Sequence, residues 1–75
     1  MIIGKTKQNI LRLIEKKPNH GYRIAKEIDI SLATTYEHLD YLEKNQLIKK
    51  IKHESQGRIV CNITDRGRRL IELID

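Results

Sequence analysis

The chain has 75 residues, 15 Lys or Arg against 10 Asp or Glu, a net charge of +5, and one cysteine. That length implies one small domain over residues 1–75, burying about 60% of its unfolded surface and leaving little room for an active site. A single cysteine excludes an internal disulfide and fits a reducing cytosol. The longest apolar runs fall well short of the ~20 residues of a membrane span, and the opening "MIIGKTKQN" has too short an apolar stretch for a signal peptide. The expected location is the cytoplasm.

Helical spacing governs the first half. In "KTKQNILRLIEKK", Ile10, Leu11, Leu13 and Ile14 form one stripe, with Lys7, Arg12 and Lys16 outside it. Pro18 and Asn19 end that helix. "HGYRIAKEIDI" starts a second, short helix after Gly21, with Ile24, Ala25 and Ile28 as its apolar face. Asp29 falls in a tight turn and Ile30 returns to the core. Ser31 is suited to cap a third helix, since its hydroxyl accepts from the next turn's amides. There Thr35, Leu39 and Leu42 recur at i, i+4 and i+7 and should face inward, opposite Ala33, Glu37, Asp40 and Lys44.

The period then changes to two. "LIKKIKH" and "RIVCNIT" read as strands joined by "ESQG", where Gly57 can supply a positive φ. Ile59, Cys61 and Ile63 share one face of the second strand, and Leu47 and Ile51 share one face of the first. Thr64 caps a last helix, "DRGRRLIELID", whose apolar residues are Leu70, Ile71, Leu73 and Ile74. The order helix, helix, helix, hairpin, helix predicts an α+β, mainly α fold. It is a three-helix bundle with a two-stranded wing and a C-terminal helix: a winged helix-turn-helix.

Three motifs carry a family resemblance. "SLATTYEHLDYLEKNQLI" resembles the recognition-helix segment of prokaryotic winged-helix regulators of the ArsR, MarR and PadR type, with Ser31, Thr34, His38, Leu39, Leu42, Leu47 and Ile48 at matching spacing. "HGYRIAKEI" looks like the second-helix start of PadR-like proteins, and "ITDRG" (63–67) like the Leu-Thr-x-x-Gly after the wing. The resemblance covers residues 20–67. It implies a homodimer on a pseudo-palindromic operator, third helix in the major groove and wing on the backbone or minor groove. Gln46 stands where such proteins have glycine, so the lead-in to the wing is expected to differ in shape. The Cys-x-Cys metal box of metal-sensing relatives is absent, so metal sensing does not carry over. The chain ends at residue 75, ahead of the long C-terminal dimerisation helices of PadR and MarR proteins, so a dimer would use less surface.

Charge is unevenly spread. Residues 1–27 carry seven bases and two acids, residues 28–45 one base and four acids, and residues 46–75 seven bases and four acids. A compact basic domain points to a polyanion, most often nucleic acid, although Lys- and Glu-rich surfaces also serve ion pairing in thermophiles. The expected partner is double-stranded DNA. Leu32, Ala33, Tyr36 and Glu37 should meet base edges, because Glu37 can accept from cytosine N4 and Ala33 or Leu32 can meet a thymine methyl. Ser31 and Thr34 should touch phosphate. So should Arg23 on the second helix and Lys49, Lys50, Lys52, His53 and Arg58 on the wing, with Lys5, Lys7 and Arg12 on the first helix adding attraction. The acidic helix would specify while the basic flanks hold.

Simpler readings stand beside these. Glu37, Asp40 and Glu43 can instead solvate an exposed face or pair with bases from elsewhere. An acid-rich third helix also suits a protein–protein interaction module with little DNA affinity. His20, His38, His53 and Cys61 match no short zinc spacing, and Cys61 on a strand face is expected to be an inert hydrophobe. No phosphate loop or nucleophile elbow is present. The chain is expected to be no enzyme, with no cofactor and no metal. Tyr22 is expected to pack at the second helix start, and Tyr41 against the wing or a second subunit. Leu70, Leu73 and Ile74 suggest a two-fold homodimer through the first and last helices.

Overall fold

Helix α1 covers Lys5–Lys16, and Ile10, Leu11 and Ile14 on its stripe are all buried. Its end is set by proline. Lys17 is extended, with φ −165° and ψ 155°, the conformation forced on a residue that precedes proline. The described residues of this computed structural model are 3–53 and 58–74, with His53 and Arg58 described in backbone only.

The extended path continues as a two-residue strand β1, Asn19–His20, before helix α2, Gly21–Ile28. The His20 Nδ1 caps α2 by accepting the Arg23 amide at 3.3 Å. At its other end Asp29 takes the left-handed conformation, φ 63° and ψ 52°, and the Ile30 amide reaches back to the Ala25 carbonyl at 3.1 Å. Aspartate tolerates that region better than most residues. The turn delivers Ser31 as the cap of helix α3, Leu32–Lys44, whose Thr35, Leu39 and Leu42 are buried as their spacing requires.

Helix α3 closes on a left-handed residue, Gln46, with φ 61°. The Gln46 amide donates to the Glu43 carbonyl and the Leu47 amide to the Leu42 carbonyl, both at 2.9 Å. This pair of bonds is a Schellman turn. The lead-in to the wing therefore keeps the shape a glycine would give it, and glutamine carries the strain.

The wing is strand β2, Ile48–His53, antiparallel to β3, Arg58–Ile63, in register from Ile48 opposite Ile63 to His53 opposite Arg58. Residues 54–57, and with them the expected turn role of Gly57, lie outside the described residues. On its other edge β3 pairs with β1, placing Asn19 opposite Cys61 and His20 opposite Val60. The sheet order is β1-β3-β2, so the expected hairpin gains a third, short strand.

The inward face of the sheet carries Ile48 and Cys61, 2% and 1% exposed. Ile51 does not join them; it is exposed, and only Leu47 of the expected pair is buried. Leu47 is buried as the hydrophobic residue of the Schellman turn against Leu42, one step before the strand begins, so parity counted from it assigns the wrong face.

Helix α4, Asp65–Ile74, returns to pack on α1 through buried Leu70 and Ile71. The Thr64 Oγ1 caps it, accepting the Gly67 amide at 3.0 Å and donating to the Gln46 carbonyl at 2.7 Å. Gly67 is needed for close approach: a Cβ there would overlap the Leu47 carbonyl oxygen and the Ile63 side chain.

Candidate nucleic-acid interface

The start of α3 is built by local hydrogen bonds. Ser31 Oγ accepts the Thr34 amide at 3.0 Å and donates to Thr34 Oγ1 at 2.8 Å. Buried Thr35 Oγ1 donates to the Ser31 carbonyl at 2.9 Å. Ser31 is thus occupied as a cap, whereas Thr34 Oγ1, the acceptor in its pair, retains a proton to donate.

The same winding turns Leu32, Ala33, Tyr36 and Glu37 outward. All four are exposed, Leu32 and Tyr36 at 41% each. The Tyr36 ring lies against Gly21, where a Cβ would stand 2.8 Å from ring Cε1. This gives each residue of "HGY" a place: His20 caps, Gly21 admits the ring, and Tyr22 is 59% exposed. The expected packing of Tyr22 at the start of α2 does not occur. Its ring instead receives the Lys26 ammonium 5.4 Å from its centroid, a contact that keeps the aromatic at the surface.

Arg23 is exposed on the first turn of α2 and spends one N–H on Glu27 Oε1, at 3.2 Å, in an i,i+4 pair. Tyr41 faces α1, with the Lys7 ammonium 4.8 Å from its ring centroid. His38 is half-buried next to that contact. Burial first, and then the Lys7 charge, hold its pKa below the ordinary histidine range, with Glu37 opposing.

The wing lysines separate into two kinds. Lys49 and Lys52 are exposed. Lys50 shares the inward parity of Ile48, and its ammonium is bonded to Asp40 Oδ1 and stands 3.6 Å from Glu43 Oε1. The hydrogen bond to Asp40 raises the Lys50 pKa and, with the lysine's charge, lowers that of Asp40. Lys50, expected to contact phosphate, is paired with α3 in this structure. It is engaged by α3 because side-chain parity turns it inward, across from Cys61. The side chains of His53 and Arg58 lie outside the described residues.

Asp40 and Glu43 enter the interface as the partners of Lys50. Their signal was present in two pieces: a three-residue spacing that puts both carboxylates on one side of α3, and the even step from Ile48 to Lys50. Cys61 is buried, and burial pushes its thiol up to about 11. Among the described residues, no three His, Cys, Asp or Glu side chains gather as a metal-holding group. No helix of the described residues is long and apolar enough to cross a membrane.

Comparison with solved structures identifies the same architecture within longer chains. BldR, a transcriptional regulator from Sulfolobus solfataricus, superposes with TM-score 0.87 at 18% identity over 92% of this chain and 50% of that one. ZitR, a zinc-responsive MarR family member from Lactococcus lactis, gives 0.89 at 20% identity over 96% of this chain and 51% of its own. FabT from Streptococcus pneumoniae, solved in complex with DNA, gives 0.87 at 23% identity over 95% of this chain and 51% of its own. The chain spans about half the length of each of these proteins. At such identities the likeness fixes the winged helix-turn-helix fold. No curated protein matches the chain in sequence. The model of the transcriptional regulator PadR-like family matches residues 10–73, and the chain belongs to that family.

Proposed function

We propose that the chain binds double-stranded DNA in a sequence-specific manner and regulates transcription, with α3 in the major groove and the wing against the backbone. The carrying observation is the exposed ridge of Leu32, Ala33, Tyr36 and Glu37 on the first turns of α3. Leu32 and Tyr36 stand at the surface beside a carboxylate, and base edges take both apolar and carboxylate partners. Thr34 and Arg23 are the neighbouring phosphate donors, and Ser31 acts through its cap. Lys49 and Lys52 extend the cationic surface along the wing, and His53 and Arg58, opposite one another in register, carry the same expectation from sequence.

A homodimer follows from the same reading. Helix α4 leaves Leu73 82% exposed, beside a groove of about 270 Å³ lined by Leu47, Leu70 and Leu73 and rimmed by Arg66 and Arg69. A two-fold pairing through α1 and α4 would cover that leucine. A regulator of this family in a prokaryotic cell works in the cytoplasm. The protein–protein alternative drew its force from the acidic charge of residues 28–45, and the pairing of Asp40 and Glu43 with Lys50 accounts for half of those acids.

The test is selection of preferred duplexes from a random pool, followed by titration with and without salt. Lys49→Met or Lys52→Met should weaken all duplexes alike and flatten the salt dependence by about one charge each. Ala33→Ser or Glu37→Gln should change which sequence is selected. If no duplex is retained at physiological salt, DNA binding is refuted. A protein captured through α3 under the same conditions would put the interaction module in its place.

A further inference from the structure

Strand β2 hangs from a fixed base. The Thr64 amide donates to the Leu47 carbonyl at 3.1 Å and the Thr64 hydroxyl to the Gln46 carbonyl, so the two residues that lead into the wing are tied to the start of α4. Beyond that base, Lys50 joins β2 to α3 by its side chain. Its side chain is 20% exposed, while Asp40 and Glu43 are 59% and 45% exposed. The lysine stem is therefore laid on the protein and the carboxylates come to it from the rim.

We propose that Lys50 is a positioning residue, which with Asp40 and Glu43 clamps the wing at a fixed lean against α3 and is thereby withheld from phosphate. The inference rests on the reading that α3 and the wing engage duplex DNA. An exposed ion pair contributes little to stability, typically about 0–1 kcal/mol, so holding the fold together is a weak reason for two carboxylates to converge on one ammonium. Geometry is a stronger one. Lys52 lies one inward step beyond Lys50, and its place relative to the exposed ridge of α3 follows from where Lys50 is held. An ammonium already neutralised by two carboxylates adds nothing to counterion release, whereas an open lysine adds about 0.9 to the salt slope. The acids toward the C-terminal end of α3 thus serve the wing, and Glu37 alone of that face is left to the bases.

The test compares Lys50→Met, Lys50→Arg, Lys52→Met and the double variant Asp40→Asn with Glu43→Gln. Each is titrated with the duplex selected from a random pool and with a scrambled duplex of the same composition, between about 50 and 200 mM salt. Lys52→Met should lower the slope by about 0.9. Lys50→Met should reduce discrimination between the two duplexes by about twofold or more, the lower bound for coupled contacting residues. Lys50→Arg should restore that discrimination. The double carboxylate variant should steepen the slope by about 0.9 and tighten binding to the scrambled duplex. A double carboxylate variant with the parent's slope would mean that Lys50 is not withheld from phosphate by the two acids and would overturn the clamp. So would unchanged discrimination in Lys50→Met.

A second arm needs no DNA. Residual dipolar couplings of the amides of residues 48–52, measured against those of α3, should report a changed strand orientation in Lys50→Met and the parent orientation in Lys50→Arg. If the parent binds no duplex, the DNA reading fails and this arm still decides the clamp. Couplings in Lys50→Met identical to the parent's would refute it.

Discussion

Two positions show how one residue's backbone demand can be met or missed. Gly67 stands where a Cβ would overlap the Leu47 carbonyl, so Gly67→Ala must push α4 off the base of the wing and should cost about 1–3 kcal/mol, as overpacking does. Gln46 is the reverse case, a side chain held at φ 61° where glycine suffers no penalty. Gln46→Gly should stabilise the chain by about 1 kcal/mol, raising the melting temperature by roughly 4–8 °C for a domain of this size. Thermal unfolding followed by circular dichroism reads both signs. A lower melting temperature for Gln46→Gly would show that the glutamine side chain does something the Schellman turn does not explain. The glycine at 67 and the missing glycine at 46 were both visible in the chain. What each does there depends on a carbonyl and a dihedral angle that only the folded backbone supplies.

At the scale of elements, α1 and α3 both contribute to the core and also meet through a charge over a ring. The Lys7 ammonium sits over the Tyr41 ring, and His38 lies half-buried beside it with its pKa lowered by burial and by Lys7. A histidine whose folded pKa is depressed binds its proton more readily unfolded. Stability is therefore full above the unfolded value of about 6.5 and declines as pH falls through the window below it. Urea unfolding across that window should show the decline, and His38→Gln should flatten it. An identical pH profile in the variant would mean that His38 is not the group responsible. Lys50 and Asp40 act elsewhere in pH. The lowered pKa of Asp40 puts the loss of its pairing below the ordinary aspartate range of about 3.9, so the two contributions separate on one titration.

For the molecule as a whole, the sheet closes over a core in which Cys61 is 1% exposed. Its thiol is pushed up to about 11 by burial, and only the thiolate reacts. Alkylation of Cys61 at neutral pH should therefore follow opening of the entire domain and speed up in step with denaturant. A native-state rate near that of a small free thiol would place the cysteine at the surface and return a redox role to consideration. Thiol labelling followed by intact mass spectrometry measures it. Alternation with Ile59 and Ile63 is enough to read Cys61 as a small hydrophobe, and its depth comes from the core that the inward face of β3 packs on.

Local pattern alone specifies the four helices, the caps at Ser31 and Thr64, the inward set Thr35, Leu39 and Leu42, and the two long strands. Each follows from local spacing, since periods of 3.6 and 2 sort side chains between core and water before any distant contact exists. Tertiary structure alone decided the third strand, the face on which Ile51 lies, and the partner of Lys50. Two residues are too few to show a period, so Asn19 and His20 become a strand only because β3 offers them an edge. Leu47 and Ile48 are buried in succession for two different reasons, which hides the parity of everything after them. Asp40 meets its base across ten residues of chain, and that meeting depends on how the wing sits against α3, a distance that no local pattern encodes.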